Sequence, residues 1–369
     1  MLAAKLISPF FFLAMRIIST VVYLATILAA FGGRVNPDYM TFPSLLSLAF
    51  PYLAILSILL IIFWALCRKI IFCGLGIGTI VLCLTPLSVA FPLGSSRKPD
   101  DTKNTFKIIS WNILHTDDIR QPQSPGNRSI EYMINSGADI ICLAELSDFT
   151  KEEIRNYTVS MVDSLFSVYP YHRGHKDSDI YILSKFPVED MEKLSFDSMG
   201  NSRFDFFKVN FSSTRELVVC MVHLSSYMLT DEERQVVTEI KSMETAKSSM
   251  KEFKGSIRKK LGNAFRQRAE DGQALREELD DISPEIPLIV CGDFNDVPTS
   301  WAYNLIRGDD LRDAYVETNF GPGITYNLHA FYFHIDQMLY RGPLEALNLT
   351  IGKINTSDHY PLIGEFEFK

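Results

Sequence analysis

The stretch "PLIVCGDFNDVPTS", residues 287–300, joins an apolar run to a cluster of polar side chains. The run before the glycine is short and rich in β-branched residues, which is typical of a strand buried in a sheet. On extended backbone, Asp293 and Asn295 point to the same side, while Phe294 between them points into the core. Asp296 belongs to the turn that "VPTS" completes. The stretch therefore predicts a buried strand that ends at a polar site.

Other segments of the chain have the same strand-like character, being rich in β-branched and aromatic residues. With the opening run they are residues 106–112, 138–146, 178–184, 203–211, 216–224, 286–292 and 334–340. Several are nearly continuous hydrophobic runs, a pattern that fits strands buried on both faces. Helix-like segments alternate with them, so we predict an α/β domain whose sheets are covered by helices.

Polar residues recur where the apolar strands end. They are Asn112, Glu145, His223, Asp293 and Asn295, with Asp336, Asp358 and His359 in "HIDQ" and "SDHYP" near the C-terminus. Taken singly, each has an ordinary explanation, such as a strand-terminating amide, a surface acid or a core histidine. An unpaired buried Asp336 would be costly, and fixing the tautomer of a histidine would explain it. Groups beyond the carboxyl ends of neighbouring strands converge on one crevice, so the set predicts a site.

The residue types suit metal-assisted hydrolysis of a phosphoester. Carboxylate and amide oxygens are ligands for Mg²⁺, and Glu145 with Asn112 fits that role, with Mn²⁺ as an alternative ion. Asp293 can orient and deprotonate the attacking water. His223 and His359 can donate hydrogen bonds to the transition-state oxygens.

The ordered blocks "SWN", "LAE", "VHL", "GDFND", "ID" and "SDH" resemble the endonuclease/exonuclease/phosphatase superfamily, in a membrane-anchored, bacterial-type member. The resemblance implies a DNase I-like four-layered α/β sandwich, with two mostly antiparallel sheets flanked by helices. It implies magnesium at Glu145 with help from Asn112. The other residues that it implicates are Asp293, Asn295 and His223 in catalysis, and His359 oriented by Asp336 beside Asp358, the third candidate metal ligand.

Two positions depart from the superfamily pattern. Ala144 stands where a glutamine usually precedes the metal-binding glutamate, and His334 stands where an arginine often precedes the Ile-Asp pair. Neither departure removes a catalytic residue, but both leave the substrate contacts open.

The first part of the chain predicts a membrane region. Residues 1–96 contain five basic residues and one acid, Asp38. Three apolar segments there, residues 6–31, 42–66 and 70–93, are each long enough to cross a bilayer, which needs roughly 20 residues. We expect about three transmembrane helices in residues 1–93, a linker at 94–105 and the catalytic domain at 106–369. For the first segment, an interfacial helix with a snorkelling Arg16 is the alternative.

The charges of the short loops favour one orientation in the membrane. Lys5 and the "CRK" turn at Arg68 and Lys69 fall on one side, while Arg34, Arg97 and Lys98 fall on the other. We place the "CRK" turn in the cytoplasm and the catalytic domain outside it.

The remaining charges are unevenly distributed. All but five of the 36 basic residues and all but one of the 44 acidic residues follow Ser96, so the catalytic domain is acidic. Such a domain is a poor non-specific binder of polyanions.

Residues 230–281 predict one or two long helices with a basic middle, which is either a solvated face or an arm that contacts anionic lipid or a phosphorylated substrate. Cys142, Cys220 and Cys291 lie in strand-like runs and predict buried thiols.

The function that these features favour is a membrane-anchored, metal-dependent phosphoester hydrolase acting on a lipid headgroup or small phosphoester. The alternative is a membrane-tethered endonuclease or exonuclease acting on DNA or RNA. A non-catalytic binding protein on the same fold is a more remote alternative, since the set of polar residues is intact. The sequence implies no protein partner.

Overall fold

The structure is a computed structural model that describes residues 9–116, 118–119, 127–146, 149, 159–174, 179–191, 196–197, 203–227, 247–328 and 331–369. The helices are α1 Pro9–Ala30, α2 Phe42–Leu48, α3 Phe50–Leu66, α4 Ile70–Leu82, α5 Leu84–Ala90, α6 Arg128–Asn135, α7 Val159–Val168, α8 Lys247–Asp281, α9 Trp301–Arg307 and α10 Ala314–Thr318. The strands are β1 Thr105–Asn112, β2 Ile140–Ala144, β3 Tyr171–Gly174, β4 Ile180–Ser184, β5 Val188–Asp190, β6 Phe196–Asp197, β7 Arg203–Ser212, β8 Arg215–His223, β9 Leu288–Asp293, β10 Arg312–Asp313, β11 Tyr326–Leu328, β12 Phe331–Phe333, β13 Asp336–Arg341, β14 Leu344–Ile351 and β15 Leu362–Phe368.

The strands form two large mixed sheets. The first has the order β14-β15-β1-β2-β4-β3, and the second has the order β10-β13-β9-β8-β7-β5, with β6 paired to β7. Strands β11 and β12 form a separate pair. Each large sheet has one parallel pair, β1 with β2 and β8 with β9, while the other pairs are antiparallel. The predicted pair of mostly antiparallel sheets is confirmed.

Successive side chains of each strand point to opposite faces of the sheet, and both faces are covered. In β8, Val219 and Met221 enter the core between the two sheets, whereas Val218 and Cys220 enter the core beneath α8 and α9. The outer face of the first sheet packs against α6 and α7 in the same way. Since both faces of each sheet are buried, the strands appear in the sequence as continuous hydrophobic runs. The result is the expected four-layered α/β sandwich.

All seven predicted strands are present, with ends shifted by at most two residues. The prediction missed eight strands, and the two longest of them, β14 and β15, extend the first sheet beside β1. Charged residues concealed them: Glu365 and Glu367 interrupt the apolar pattern of β15. Glu367 is buried, and its carboxylate accepts a hydrogen bond from the backbone N–H of Asp101 at 2.6 Å.

The N-terminal region does not contain three uninterrupted membrane-length helices. Within the described residues, α1 is long and apolar enough to cross a membrane, and α4 with α5 would form a second crossing only if a pair bent by 68° counted as one span. The second apolar segment is broken at Ala49, the residue before α3, which has Pro51 in its first turn and is 17 residues long. The third is broken at Cys83 because Pro86 cannot donate the hydrogen bond that would continue the helix. The expectation of about three spans is corrected accordingly.

Helix α8 confirms the predicted helix over residues 247–281, while residues 230–246 lie outside the described residues. Its last third is amphipathic: Leu275 and Leu279, one turn apart, pack into the core beneath the second sheet. Arg268 belongs to the basic middle of this segment, but its side chain is fully buried. The basic segment is therefore not solvated throughout.

The N-terminal region contacts the α/β sandwich directly. A Cβ atom at Gly33 would lie 1.9 Å from the Thr299 carbonyl oxygen, so the two backbones meet where only glycine fits. After the last apolar helix, Arg97 donates its backbone N–H to the Leu347 carbonyl at 2.6 Å and pairs with Glu345 at 2.9 Å. The segment before β1 thus runs along the edge of the first sheet.

Candidate active site

The sheet topology brings six strand ends to one edge of the sandwich. Strands β1, β2, β8 and β9 end there, and the antiparallel strands β4 and β13 begin there. In the first sheet Asn112 is paired with Ala144, whose other partner is Ile180. In the second sheet Asp293 lies between His223 and Asp336 in the strand register. The residues predicted from separate strand ends therefore lie in one cleft.

Asp293 is the centre of this cluster. Its Oδ2 atom lies 3.1 Å from Asn112 Nδ2, 3.5 Å from His359 Nε2 and 4.0 Å from His223 Nε2. The carboxylate is fully buried, and burial raises its pKa to about 6, although the neighbouring histidines act to lower that pKa. Asp293 is still mostly ionised at neutral pH, and it can then accept a proton.

Each histidine of the cleft is held by its own carboxylate. His223 Nδ1 lies 2.7 Å from Asp179 Oδ2, and His359 Nδ1 lies 2.9 Å from Asp336 Oδ2. These contacts fix both rings with Nδ1 toward an aspartate, so both Nε2 atoms face Asp293. The predicted pairing of Asp336 with His359 is thus present in the geometry.

Both histidines have raised pKa values. Burial alone would lower the pKa of His223, but the carboxylates of Asp179, Asp293 and Glu145 outweigh it and raise the pKa to about 9. Burial likewise opposes protonation of His359, and Asp336 with Asp293 nevertheless raises its pKa well above the usual value. His223 is therefore cationic at neutral pH, and the raised pKa of His359 likewise favours its cationic form, with an N–H donor toward the cleft.

Asn112 and Glu145 complete the cleft beside Asp293. The amide nitrogen of Asn112 donates to Glu145 Oε1 at 2.9 Å and to Asp293, bridging the two carboxylates, while its oxygen accepts from the Leu114 backbone N–H at 3.2 Å. Glu145 has a left-handed backbone, with φ of 58°, and its side chain is 26% exposed. A non-glycine residue in that conformation is strained, and such strain is found at functional sites.

The donor set fits a divalent cation. The carboxylates of Glu145 and Asp293 offer the hard oxygens that Mg²⁺ or Mn²⁺ takes, and Glu145 is open enough to share the ion with a substrate. Asn112 presents its amide nitrogen to both carboxylates here, so its oxygen would face the ion only after the side-chain amide turns over. A second group, Asp293, Asp336 and His359, has ligand atoms that lie within 4.8 Å of one another. In that group the Nδ1 atom of His359 is already bonded to Asp336, so Glu145 with Asn112 and Asp293 is the better candidate.

Asn295 reaches the cleft by a different route from the one expected. Its φ of 51° is left-handed, so the backbone after Asp293 is not extended as the sequence pattern had implied. The turn lets its backbone N–H donate to Asp293 Oδ1 at 2.7 Å, while its Nδ2 donates to the Leu224 carbonyl at 2.8 Å. Phe294 is buried in the core beneath α8. Asn295 therefore holds Asp293 in place and ties the ends of β8 and β9 together.

Gly292 allows this close approach of β8 and β9. Its φ is 143°, and a Cβ atom there would lie 1.9 Å from the Val222 carbonyl oxygen. Any side chain at this position would separate the strands that carry His223 and Asp293.

Arg268 of α8 supports the same turn from below. Its Nη1 donates to the carbonyls of Ser225 at 3.1 Å and Asn295 at 2.7 Å. Its Nε lies 3.3 Å from Asp296 Oδ2, and its guanidinium stacks over the ring of Tyr227. Asp296, assigned from sequence only to a turn, is thus the buried counter-ion of an arginine that fixes the loops after β8 and β9.

Three positions singled out in the sequence lie at the rim of the cleft or outside it. Asp358 is half-buried and accepts a hydrogen bond from Ser357 at 3.3 Å; within the described residues no hydrogen bond joins it to Glu145 or Asn112. His334 is half-buried against the ring of Tyr315, and the desolvation of its ring lowers its pKa, so it favours the neutral form where the superfamily often has an arginine. Ala144 is a buried strand residue.

Asp179 and Arg268 were not identified from the sequence. Asp179 directly precedes β4, whereas the polar residues singled out from β1, β2, β8 and β9 all lie at or just after the end of a strand. Because β4 runs antiparallel to β2, the beginning of β4 lies at the same edge as the end of β2. The "SDIYILS" segment thus carried a usable signal for Asp179, whereas no local pattern marks Arg268 as buried.

The architecture is that of a two-sheet α/β sandwich with a polar cleft at one edge. The sequence model of the endonuclease/exonuclease/phosphatase family matches residues 109–359, more than half of the chain, and the chain belongs to this family. Residues 10–90 match a domain of unknown function, DUF8431. No curated protein matches the sequence.

Solved structures of similar fold include a humanized TDP2 from D. rerio, with 16% identity, a TM-score of 0.47, and coverage of 72% of this chain and 99% of that one. The catalytic domain of human Nocturnin has 17% identity and a TM-score of 0.45, covering 72% and 95% of the two chains. The TDP2 of Caenorhabditis elegans has 18% identity and a TM-score of 0.46, covering 72% and 98%.

Proposed function

We propose that the chain is a divalent-metal-dependent phosphoester hydrolase attached to a membrane, with a lipid headgroup or another small phosphoester as its substrate. One observation carries the proposal: Asp293 Oδ2 lies 3.5 and 4.0 Å from the Nε2 atoms of two histidines, each fixed by an aspartate. A proton acceptor between two cationic donors is suited to activating water beside a phosphoryl group.

The side chains divide the reaction between them. Asp293 accepts a proton from the attacking water, which it can do because it is ionised at neutral pH. His223 and His359 donate hydrogen bonds from Nε2 to the phosphoryl oxygens, where negative charge develops. A divalent cation held by Glu145 and Asn112, when bound, supplies further stabilisation of that charge. Asn295 keeps Asp293 oriented throughout.

The membrane part of the proposal is supported by the N-terminal helices. Many of their large apolar side chains face outward, among them Phe10, Ile17, Val21, Leu24, Leu59, Ile62, Leu66, Ile70 and Ile71. Polar contacts lie between the helices instead: Trp64 Nε1 donates to Ser19 Oγ and Thr26 is bonded to Ser57, both at 2.8 Å. An apolar exterior with polar contacts inside is the pattern of helices packed within lipid.

The substrate class follows from location and charge. A bilayer-attached enzyme has lipid headgroups near its cleft, and the acidic excess after Ser96 disfavours a long polyanion. The loop charges support placing the catalytic domain outside the cytoplasm.

A substrate panel on the detergent-solubilised full chain tests the function. The panel contains an aryl phosphodiester, sphingomyelin-like and glycerophospholipids, inositol phosphates, single- and double-stranded DNA, and RNA, each with Mg²⁺ and with EDTA. We expect hydrolysis of lipid or small phosphoesters that EDTA abolishes. Asp293→Asn should lower kcat by about 10²- to 10⁴-fold, because it removes the general base. Preferential cleavage of nucleic acid would overturn the substrate class, and activity that survives EDTA would overturn the metal mechanism.

A further inference from the structure

A cavity of about 400 Å³ lies on the outer face of α8, where the N-terminal region approaches the sandwich. Its lining residues are Thr41, Gly255, Arg258, Lys259, Gly262, Asn263 and Arg266. Those from α8 recur at intervals of three or four residues, which places them on one face of the helix. None of the lining residues is acidic, so the cavity is cationic within an acidic protein.

Within the described part of the chain, the three cations of the cavity have no acidic partner. Arg258, Lys259 and Arg266 are exposed, and among the described residues no carboxylate pairs with any of them. Elsewhere in the domain, arginines are commonly paired, as Arg276 and Arg341 are with Asp310. Two guanidinium groups and an ammonium around one concave surface suit a phosphate group, because guanidinium donors match its oxygens in pairs.

Two glycines keep the cavity open. A Cβ atom at Gly255 would meet no atom within 4 Å, and one at Gly262 would meet Thr41 Oγ1 at 3.5 Å. A glycine inside a helix costs about 0.5–1 kcal/mol relative to alanine. The chain thus places helix-weakening residues where side chains would otherwise fill the space between the cations and Thr41.

We propose that this cavity binds the phosphate group of an anionic lipid headgroup. Thr41 lies between α1, the helix able to cross a membrane, and α2, so the cavity is close in sequence to the bilayer-facing region. Basic groups beside a membrane helix attract anionic lipids, and the volume falls within the range of about 300–1,000 Å³ usual for ligand sites. The cavity shares no residue with the cleft at Asp293, and the proposal does not depend on hydrolysis.

Calorimetric titration of the full chain in neutral detergent tests the proposal. Dioctanoyl phosphatidic acid is the probe, and EDTA is present to prevent metal-dependent hydrolysis. We expect saturable binding that Arg258→Gln with Arg266→Gln weakens by at least about tenfold, since each lost charge-assisted hydrogen bond costs on that order. Gly255→Leu retains every charge and fills the cavity, and it should weaken binding as well.

Two comparisons decide the outcome. Lys103→Gln with Lys353→Gln removes the same charge from exposed positions outside the cavity and should leave binding unchanged. If this control variant lost as much affinity for the lipid as the variant at Arg258 and Arg266, the proposed site would be overturned. Unchanged affinity in Gly255→Leu would overturn it as well. Inorganic phosphate is titrated in parallel: affinity at least about tenfold below that of the lipid supports a headgroup ligand, and equal affinity would overturn the lipid assignment in favour of free phosphate.

Discussion

At the scale of single residues, the cleft is built from two histidine–aspartate pairs that face one carboxylate. Asp179 and Asp336 each hold Nδ1 of a histidine, and both Nε2 atoms face Asp293. Prediction from sequence found one pair and missed the other, because Asp336 lies within a recognisable block whereas Asp179 precedes its strand. The direction of a strand, which decides the edge at which its first residue lies, is a property of the sheet and not of the local sequence.

Asp179→Asn should lower kcat on a soluble aryl phosphodiester by about 10- to 100-fold, as loss of a group that orients a catalytic side chain commonly does. The amide cannot stabilise the cationic ring of His223, which then loses both its orientation and its raised pKa. Steady-state kinetics of the detergent-solubilised chain with Mg²⁺ gives the measurement. Asp163→Asn, at an exposed position of α7, is the matched control, and equal activity of the two variants would contradict a role for Asp179.

At the scale of elements, α8 is a structural support for the loops that follow β8 and β9 at the cleft. Arg268 joins the carbonyls of Ser225 and Asn295, and Arg341 caps the end of the same helix through the carbonyls of Leu279 at 2.6 Å and Ile282 at 2.8 Å. The amino-acid composition of this segment predicted the helix correctly, but it did not show that the arginines differ in burial. Burial of a single arginine depends on which turn faces the sheet, and that is set by tertiary packing.

Replacing Arg268 together with its counter-ion tests this support. Removing Arg268 alone would leave Asp296 as an unpaired buried charge, at a cost of about 3–5 kcal/mol. In Arg268→Met with Asp296→Asn both charges are removed, so the domain should fold while the loops lose their anchor. We expect kcat to fall by about 10- to 100-fold with little change in KM for a small substrate.

Circular dichroism of this double variant should remain native. Lys353→Met removes an exposed cation as a control. Full activity in a folded double variant would refute the positioning role.

Asp310 links α8 to β13 and should make stability depend on acid pH. Burial would raise its pKa, but hydrogen bonds from Arg341 and Arg276 outweigh burial and lower it below the usual value. The contribution to stability is therefore present above the unfolded-state pKa and is lost as pH falls through the lower folded-state pKa. Urea unfolding at about pH 7 and about pH 3 should show a smaller acid-induced loss of stability in Asp310→Asn than in the native chain.

Asp309→Asn, at the exposed neighbouring position, should retain the native loss of stability in acid. If Asp310→Asn lost as much stability in acid as the native chain does, the ion pairs with Arg276 and Arg341 would not be the source of the effect.

At the scale of the whole molecule, the sequence predicted the catalytic sandwich better than the N-terminal region. The sandwich is marked by seven buried strands and polar strand ends, and both signals are local. The apolar segments were correctly located, but their interruption by Pro51 and Pro86 and the 68° bend were not foreseen. The length of an apolar segment does not show whether it forms one straight helix or two short ones. A proline inside such a segment breaks the first helix, and it is tolerated in the first turn of a second helix.

Gly33→Ala should loosen the N-terminal region from the sandwich, because the new Cβ atom would lie 1.9 Å from the Thr299 carbonyl oxygen. We expect faster tryptic cleavage after Arg97 in the detergent-solubilised chain. Gly78→Ala is the control, since a Cβ atom there would meet nothing within 4 Å. An unchanged cleavage rate in Gly33→Ala would show that the contact at Thr299 does not hold the two parts together.

The packing between the two sheets also has a consequence for redox chemistry. Cys142 and Cys291 lie in that layer, and Cys220 lies on the opposite side of the second sheet; all three are buried as free thiols. Burial raises the pKa of Cys142 and Cys220 well above the usual value, so almost none of the nucleophilic thiolate is present. Oxidants and alkylating reagents can then reach these sulfurs only when the sandwich opens. The thiols therefore tolerate an oxidising compartment for as long as the domain stays folded.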